Sequence, residues 1–180
     1  KRPLAYGSRP FAIGSARAKM HAAPAALYIT GSDLRRWTRG EEALQIQGFE
    51  VGPFAVDTYL LWDAQTKQAA IVDPSFGSEG VLSQINKEGL TLAYIINTHG
   101  HVDHVAADAY FKANPGAGGA EHAAPLLLIH EGDLPLLQNS ARQAIGFGMR
   151  ADRAPEPDRF LADGDKITIG GETLVVLHTP

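Results

Sequence analysis

The heptad Thr98-His99-Gly100-His101-Val102-Asp103-His104 holds three histidines and one aspartate within seven residues. Residues two apart in an extended segment point to the same side, so His99 and His101 are expected to face one metal ion. Asp103 and His104 begin the next turn and are expected to face a second ion. Neutral imidazole and carboxylate suit zinc, iron and manganese alike, so the sequence predicts a metal site without fixing the element.

The segments on either side of the heptad are typical of a loop at the edge of an α/β sheet. Residues 91–97 form an apolar, partly β-branched run that predicts a buried strand, and residues 105–113 show helical spacing of apolar side chains. Ligand sites in α/β folds favour the carboxyl ends of strands, which is where this order places the heptad. A weaker alternative is that the histidines only cap a helix, but capping needs one or two such residues and not four.

The chain from residue 44 onward predicts an ordered α/β domain. Strands are predicted at 44–49, 58–62, 69–73, 91–97 and 126–130, and helices at 78–88, 105–113 and 133–143. Residues 166–169 and 172–178 predict a hairpin across Gly170-Gly171, a dipeptide suited to a tight turn.

Four segments resemble one family of metal-dependent enzymes. They are Tyr59-Leu60-Leu61-Trp62, Ala70-Ile71-Val72-Asp73-Pro74, the heptad, and Asp163-Gly164-Asp165-Lys166. Through them, residues 45–180 resemble the metallo-β-lactamase superfamily, and within it the glyoxalase II-like (hydroxyacylglutathione hydrolase-like) branch. The resemblance implies an α/β fold, namely the N-terminal part of an αββα sandwich, with a metallo-β-lactamase-like domain over residues 44–180.

The resemblance also implies a role for each ionisable residue of the heptad. His99 and His101 match ligands of a first ion, and Asp103 and His104 match ligands of a second. Asp103 would in addition be catalytic, by orienting the attacking hydroxide. Asp73 matches an aspartate that supports the metal loop by hydrogen bonding. Without the resemblance, Asp73 would be interpreted as a turn residue before proline. No residue is predicted to bind another cofactor.

The activity that the resemblance implies is metal-dependent hydrolysis of a small-molecule substrate. Two zinc ions, with iron or manganese as alternatives, would supply a metal-bound hydroxide that cleaves a thioester such as an acylglutathione. Two other functions stay open. One is a persulfide dioxygenase-like oxidoreductase that uses iron, and the other is a noncatalytic domain that keeps the metallo-β-lactamase fold.

The last residues of the chain depart from the family pattern. Members of the family continue His-Thr-Pro with Gly-His, whose histidine completes the first metal site, whereas this chain ends at His178-Thr179-Pro180. The domain is therefore predicted to be incomplete at its C-terminus, with two ions bound in the full-length form. Four other histidines, His21, His122, His130 and His178, are assigned no ligand role, although a shortened chain could recruit His178.

The N-terminal segment differs from the rest of the chain in charge. Residues 1–40 contain eight basic residues and one acidic residue, a net charge of +7, and the remaining residues carry a net charge of −11. Residues 1–43 are predicted to be a basic, disordered extension, because they contain prolines and lack a clear amphipathic period. An organellar transit peptide is the alternative, whereas a nucleic-acid-binding arm is disfavoured by the acidic body. The predicted location is cytoplasmic, or an organelle if residues 1–40 direct the protein there.

Composition excludes several other classes of protein. The sequence has no cysteine, which excludes disulfides and thiolate metal ligands. No apolar run approaches the about 20 residues that span a bilayer. Neither nucleic acid nor a membrane is predicted as a partner, and no oligomeric state is predicted.

Overall fold

The computed structural model describes residues 26–28, 44–117 and 123–179. A short strand, β1 (Ala26–Tyr28), precedes a central six-stranded sheet whose strands lie side by side in sequence order. The strands of this sheet are β2 (Leu44–Val51), β3 (Val56–Asp63), β4 (Gln68–Val72), β5 (Thr91–Ile96), β6 (Leu126–His130) and β7 (Arg159–Leu161). The first three pair antiparallel, and β4 to β7 pair parallel.

Helices connect the parallel strands, which confirms the predicted α/β class. They are α1 (Val81–Glu88), α2 (Val102–Val105), α3 (Asp108–Ala113), α4 (Leu134–Gln138) and α5 (Ser140–Gly146), with 3₁₀ turns at Ser78–Gly80 and Glu131–Asp133. Over the described ranges, none of them has the length and apolar character needed to cross a bilayer.

Two of the predicted helices are broken, so their predicted continuity was wrong. The helix predicted at 105–113 begins earlier, at Val102, and is interrupted because the N–H of Ala107 donates to Pro74 O at 2.9 Å and not to its own helix. The helix predicted at 133–143 breaks at Asn139, whose side-chain amide donates to Pro135 O at 2.8 Å. Asparagine competes in this way with the helical backbone pattern, and apolar periodicity does not reveal it.

The inner strands of the central sheet, β4 to β6, are buried on both faces, which explains why they are largely continuous apolar runs. Leu60 and Ile95 lie in the core between sheet and helices, and their neighbours Leu61 and Ile96 lie in the core on the other face. On the helical side the sheet packs against a buried set of helix residues: Val81, Ile85, Val105, Phe111 and Leu137.

The predicted hairpin forms from β8 (Lys166–Ile169) and β9 (Glu172–Val175), and it covers the other face of the sheet. Ile167 and Ile169 of the hairpin are buried against the sheet. The turn begins at Gly170, which has φ +60°. A Cβ atom there would lie 2.1 Å from Asp63 Oδ2, so the position requires glycine both for its backbone angle and for space.

The strand predicted at 172–178 is divided in two. Val176 leaves the hairpin because its N–H donates to Asp165 O, and its carbonyl accepts from the N–H of Gly164. The chain then forms β10 (Leu177–Thr179), which pairs antiparallel with β1. β1 belongs to the predicted extension at 1–43, whose other residues lie outside the described residues. The boundary at residue 44 therefore stays a prediction.

Asp63 links the turn after β3 to the hairpin. Its carboxylate accepts hydrogen bonds from the backbone N–H groups of Gly171 at 2.6 Å, Gln65 at 2.7 Å and Thr66 at 3.0 Å. The bond from Gly171 contributes most to lowering the pKa of Asp63 below its usual value of 3.8. The charged form of Asp63 therefore stabilises the contact between the two layers.

Asp63→Ala is expected to lower the free energy of unfolding by about 2–3 kcal/mol near neutral pH, because three donors lose a charged acceptor. Since the pKa is lower in the folded state, this contribution is present above the unfolded-state pKa and is lost as the pH falls through the folded-state pKa. Urea unfolding of both proteins at neutral and at acid pH measures the difference. A difference that stays the same throughout acidification would contradict the assignment.

Candidate metal centre

The heptad follows β5 directly and occupies the carboxyl edge of the sheet. His99 and His101 precede α2, and Asp103 and His104 lie within it. The ring centroid of His99 lies 4.8 Å from that of His101 and 4.1 Å from that of His104. His104 Nε2 is 3.6 Å from Asp103 Oδ2. The structure thus brings all four predicted ligands into one cluster.

Asp73 holds this cluster from the neighbouring strand. It follows β4, which pairs parallel with β5, and its N–H donates to Ile96 O at 2.9 Å, so it lies beside the start of the heptad. One carboxylate oxygen accepts from Thr98 N at 2.7 Å. The other oxygen is 2.6 Å from Thr98 Oγ1 and 3.1 Å from His104 Nδ1. Asp73 therefore joins the backbone and two side chains of the heptad.

These contacts determine which nitrogen of each ring is free. His104 Nδ1 faces a carboxylate, which can only accept, so this nitrogen carries the proton. The Thr98 hydroxyl donates to Asp73 and can then accept from His99 Nδ1, which lies 3.0 Å away. In the neutral form of each ring the unprotonated atom is therefore Nε2. An Nε2 lone pair is what a metal ion requires of a histidine ligand.

The electrostatic environment differs between the two histidines. Burial and the nearby His104 lower the pKa of His99 to about 4, so His99 is neutral near neutral pH. Burial alone would lower the pKa of His104 too, but its hydrogen bond with Asp73 and the charges of Asp73 and Asp103 outweigh burial and raise it. His99 is thus the ring whose lone pair is free without competition from a proton.

Polar side chains that the sequence analysis did not single out fix the backbone of the heptad. Asp133 Oδ1 accepts from Gly100 N at 3.1 Å, and Gln143 Oε1 accepts from Val102 N at 3.1 Å. Asn97 donates to His104 O and to the buried carboxyl of Asp108. Of these residues, only Asp133 carries a sequence signal, because it follows the carboxyl end of a predicted strand as Asp73 does.

Asp108 is fully buried beneath the heptad. Burial raises the pKa of Asp108 well above its usual value, and the hydrogen bond from Asn97 offsets this only in part. Its neutral form is therefore favoured. Asp108 supports Asn97, which in turn holds the carbonyl of His104.

The donors fit a metal ion in type and in the orientation of two rings. Imidazole and carboxylate are the ligands of zinc, iron and manganese sites. No group of three or more such side chains, within the described ranges, is arranged to hold a single ion. The assignment of His99, His101, Asp103 and His104 as metal ligands stays a prediction.

The remaining histidines lie apart from these hydrogen bonds. His130 and His178 stack on each other with centroids 4.1 Å apart and planes at 12°. Neither hydrogen bonds to a residue of the heptad; His130 accepts from Gly132 N. His21 and His122 lie outside the described residues.

Gly100 allows the heptad to pack against α4. A Cβ atom on Gly100 would lie 2.7 Å from Asp133 O, 2.7 Å from Leu137 N and 2.8 Å from Leu136 Cβ. We expect Gly100→Ala to lower the free energy of unfolding by about 1–3 kcal/mol, because backbone atoms must move to admit the methyl group.

The matched control is Gly146→Ala in α5, where a Cβ would meet no atom within 4 Å. It should raise stability by roughly 0.5–1 kcal/mol, since alanine favours the helix. Thermal unfolding of both variants measures the contrast. Equal melting temperatures for the two would show that the packing of Gly100 is not tight.

Comparison with known proteins gives one family. Residues 51–180 match the Metallo-beta-lactamase superfamily. Hydroxyacylglutathione hydrolase GloC of Haemophilus influenzae is 31% identical over 138 residues, which are 76% of this chain and 61% of that protein. The chain spans about 60% of the length of curated relatives such as this one.

Solved structures of similar fold include a metallo-β-lactamase and a protein with two bound iron ions. The BLEG-1 B3 metallo-beta-lactamase is 27% identical, with a TM-score of 0.61 over 76% of this chain and 62% of that one. The di-iron-bound form of TTHA1623 is 26% identical, with a TM-score of 0.56 over 67% of this chain and 56% of that one. The fold observed here, a helical layer on a sheet backed by a second β layer, is thus that of metallo-β-lactamases.

Proposed function

This chain belongs to the metallo-β-lactamase superfamily, and we propose that its heptad forms part of the active site of a metal-dependent hydrolase that cleaves a thioester such as an acylglutathione. The observation that carries the proposal is the pair of hydrogen-bonded rings, His99 and His104. Both have Nδ1 occupied by a protein partner and Nε2 free to bind an ion.

The proposed ligands are His99 and His101 for a first ion, and Asp103 and His104 for a second. Zinc is the preferred element, because it is bound by neutral imidazole and carboxylate and needs no redox partner for hydrolysis. Bound ions would lower the pKa of water and polarise the substrate carbonyl. The low pKa of His99 suits this role, because a neutral ring binds an ion without first losing a proton.

The residues of the chain have distinct tasks in the proposed reaction. Asp103 orients the attacking water, whose oxygen bonds to the acyl carbon while the carbon–sulfur bond breaks and the thiol leaves with a proton. Thr98 and Asp73 keep the rings of His99 and His104 in place throughout. Such orientation reduces the reorganisation needed in the transition state.

The thioester is preferred as substrate because GloC, a relative at 31% identity, is a hydroxyacylglutathione hydrolase. A single-iron persulfide dioxygenase stays the alternative to be tested. Both substrates carry glutathione through its sulfur atom, as a thioester in one and as a persulfide in the other, so the two functions are separated by the element required and by the need for oxygen.

The test uses the protein that the gene encodes, stripped of metal and then loaded in turn with zinc, manganese and iron. Thiol release from an acylglutathione and oxygen uptake with a glutathione persulfide are followed in parallel. We expect thiol release that depends on metal and not on oxygen. Oxygen uptake by the iron-loaded protein, without thiol release under any loading, would contradict the proposal.

A further inference from the structure

Asp133 has one carboxylate oxygen with a partner and one without. It ends the 3₁₀ turn after β6 and is fully buried. Oδ1 accepts from Gly100 N, whereas Oδ2 is buried without a hydrogen-bond partner among the described residues. A buried carboxylate oxygen without a hydrogen-bond donor destabilises the folded state. Such an oxygen beside the heptad therefore needs an explanation.

His101 is the ligand histidine that lacks an acceptor. His99 has Thr98 and His104 has Asp73, whereas the ring of His101 has no hydrogen-bond partner in the described ranges. Histidine ligands nearly always donate their second ring nitrogen to a carboxylate, a carbonyl or water. His101 directly follows Gly100, whose N–H donates to Asp133, so the free oxygen of Asp133 lies beside the short segment that carries the unpaired ring.

The charges that act on Asp133 agree with a position of its carboxylate near the ring of His101. Burial raises the pKa of Asp133, and the bond from Gly100 and the neighbouring rings of His130, His101 and His178 act in the opposite direction. Of these three rings, His130 uses Nδ1 to accept from Gly132 N and stacks on His178. His101 alone belongs to the heptad.

We propose that Asp133 is the positioning residue of His101 once an ion is bound: its free oxygen then accepts the ring N–H that points away from the ion, while its other oxygen holds the backbone of Gly100. One carboxylate would thus fix both the loop and the ring that the loop carries. The inference rests on the proposed metal-dependent function, since the ring needs this orientation only when it binds an ion.

Asp133→Asn separates the two tasks of the carboxylate. The amide oxygen can still accept from Gly100 N, but the amide nitrogen is a donor and cannot accept from His101. We expect zinc affinity, measured by competition with a chromophoric chelator, to fall by about 10- to 100-fold. The metal-free variant should unfold no more readily than the metal-free wild type, because an amide has no charge to desolvate. Asp133→Ala should lose both zinc affinity and stability.

Asp63→Asn is the matched control. Asp63 is also a buried aspartate that accepts backbone N–H groups, but it lies at the other end of β3, away from the heptad. This variant should lose stability and keep zinc affinity, the reverse of Asp133→Asn.

Three results would count against the inference. Wild-type zinc affinity in Asp133→Asn would show that the free oxygen has no role. Loss of stability equal to that of Asp133→Ala would show that Asp133 only supports the loop. Wild-type protein that binds no zinc would refute the proposed function itself, and this is seen before any variant is compared.

Discussion

Asp73→Ala is expected to reduce zinc affinity by about 100-fold and to lower the free energy of unfolding by about 3–5 kcal/mol. The variant leaves three donors of the heptad without an acceptor, namely Thr98 N, Thr98 Oγ1 and His104 Nδ1. Without the carboxylate of Asp73, His104 loses the acceptor that keeps the proton on Nδ1 and leaves Nε2 available to a metal ion. The ring can then turn, and the two nitrogens become equivalent as ligands.

The experiment measures zinc affinity and urea unfolding of the metal-free protein. Asp73→Asn is the informative companion, because asparagine also tolerates the observed φ of +49° and keeps one acceptor oxygen. Thr98→Ser and Thr98→Val form a matched pair, since serine keeps the hydroxyl between Asp73 and His99 and valine does not. If both Asp73 variants and both Thr98 variants bind zinc as tightly as the wild type, these hydrogen bonds do not support the site.

Asp103→Asn is expected to lower the rate of thioester cleavage by about 10²–10⁴-fold, the range over which a positioned acid–base group acts. The side chain of Asp103 is 30% exposed and makes no buried hydrogen bond to the backbone, so the change should alter the melting temperature little. The amide has nearly the same volume but neither the negative charge nor the second acceptor oxygen.

Steady-state kinetics at several zinc concentrations separates the two roles of Asp103. If Asp103 both binds an ion and orients water, kcat stays low even when zinc is saturating. Asp57→Asn, an exposed change in β3, is the control and should behave as the wild type. Full recovery of kcat at high zinc concentration would limit Asp103 to metal binding, and wild-type kinetics at every concentration would remove it from the site.

The heptad could be identified from its own residue pattern, whereas Asp73 was singled out only through the family resemblance, and the fold brings the two together by a local rule. Both follow apolar parallel strands, β5 and β4, and adjacent parallel strands end at the same edge of the sheet. The core strands were predicted for the same reason, since a strand buried on both faces is apolar throughout. What the sequence pattern could not supply was the direction of each ring, which depends on the Thr98 hydroxyl.

The contributions of Asp133 and Gln143 depend on contacts across more than thirty residues of sequence. Gln143 lies on a helix that was predicted as part of a longer one, and the break at Asn139 sets the direction of α5. Helix breaks of this kind come from a single side chain-to-backbone bond, which apolar periodicity does not register. The division of the last predicted strand at Val176 has the same origin, in two bonds to Gly164 and Asp165.

The most direct test of the metal centre is nitrogen NMR of the histidine rings during a zinc titration. We predict that zinc shifts Nε2 of His99 and His104, while Nδ1 of both rings keeps its proton and its contact with Thr98 or Asp73. Zinc bound through Nδ1 of His104, or zinc that shifts only rings outside the heptad, would contradict the assignment of the site.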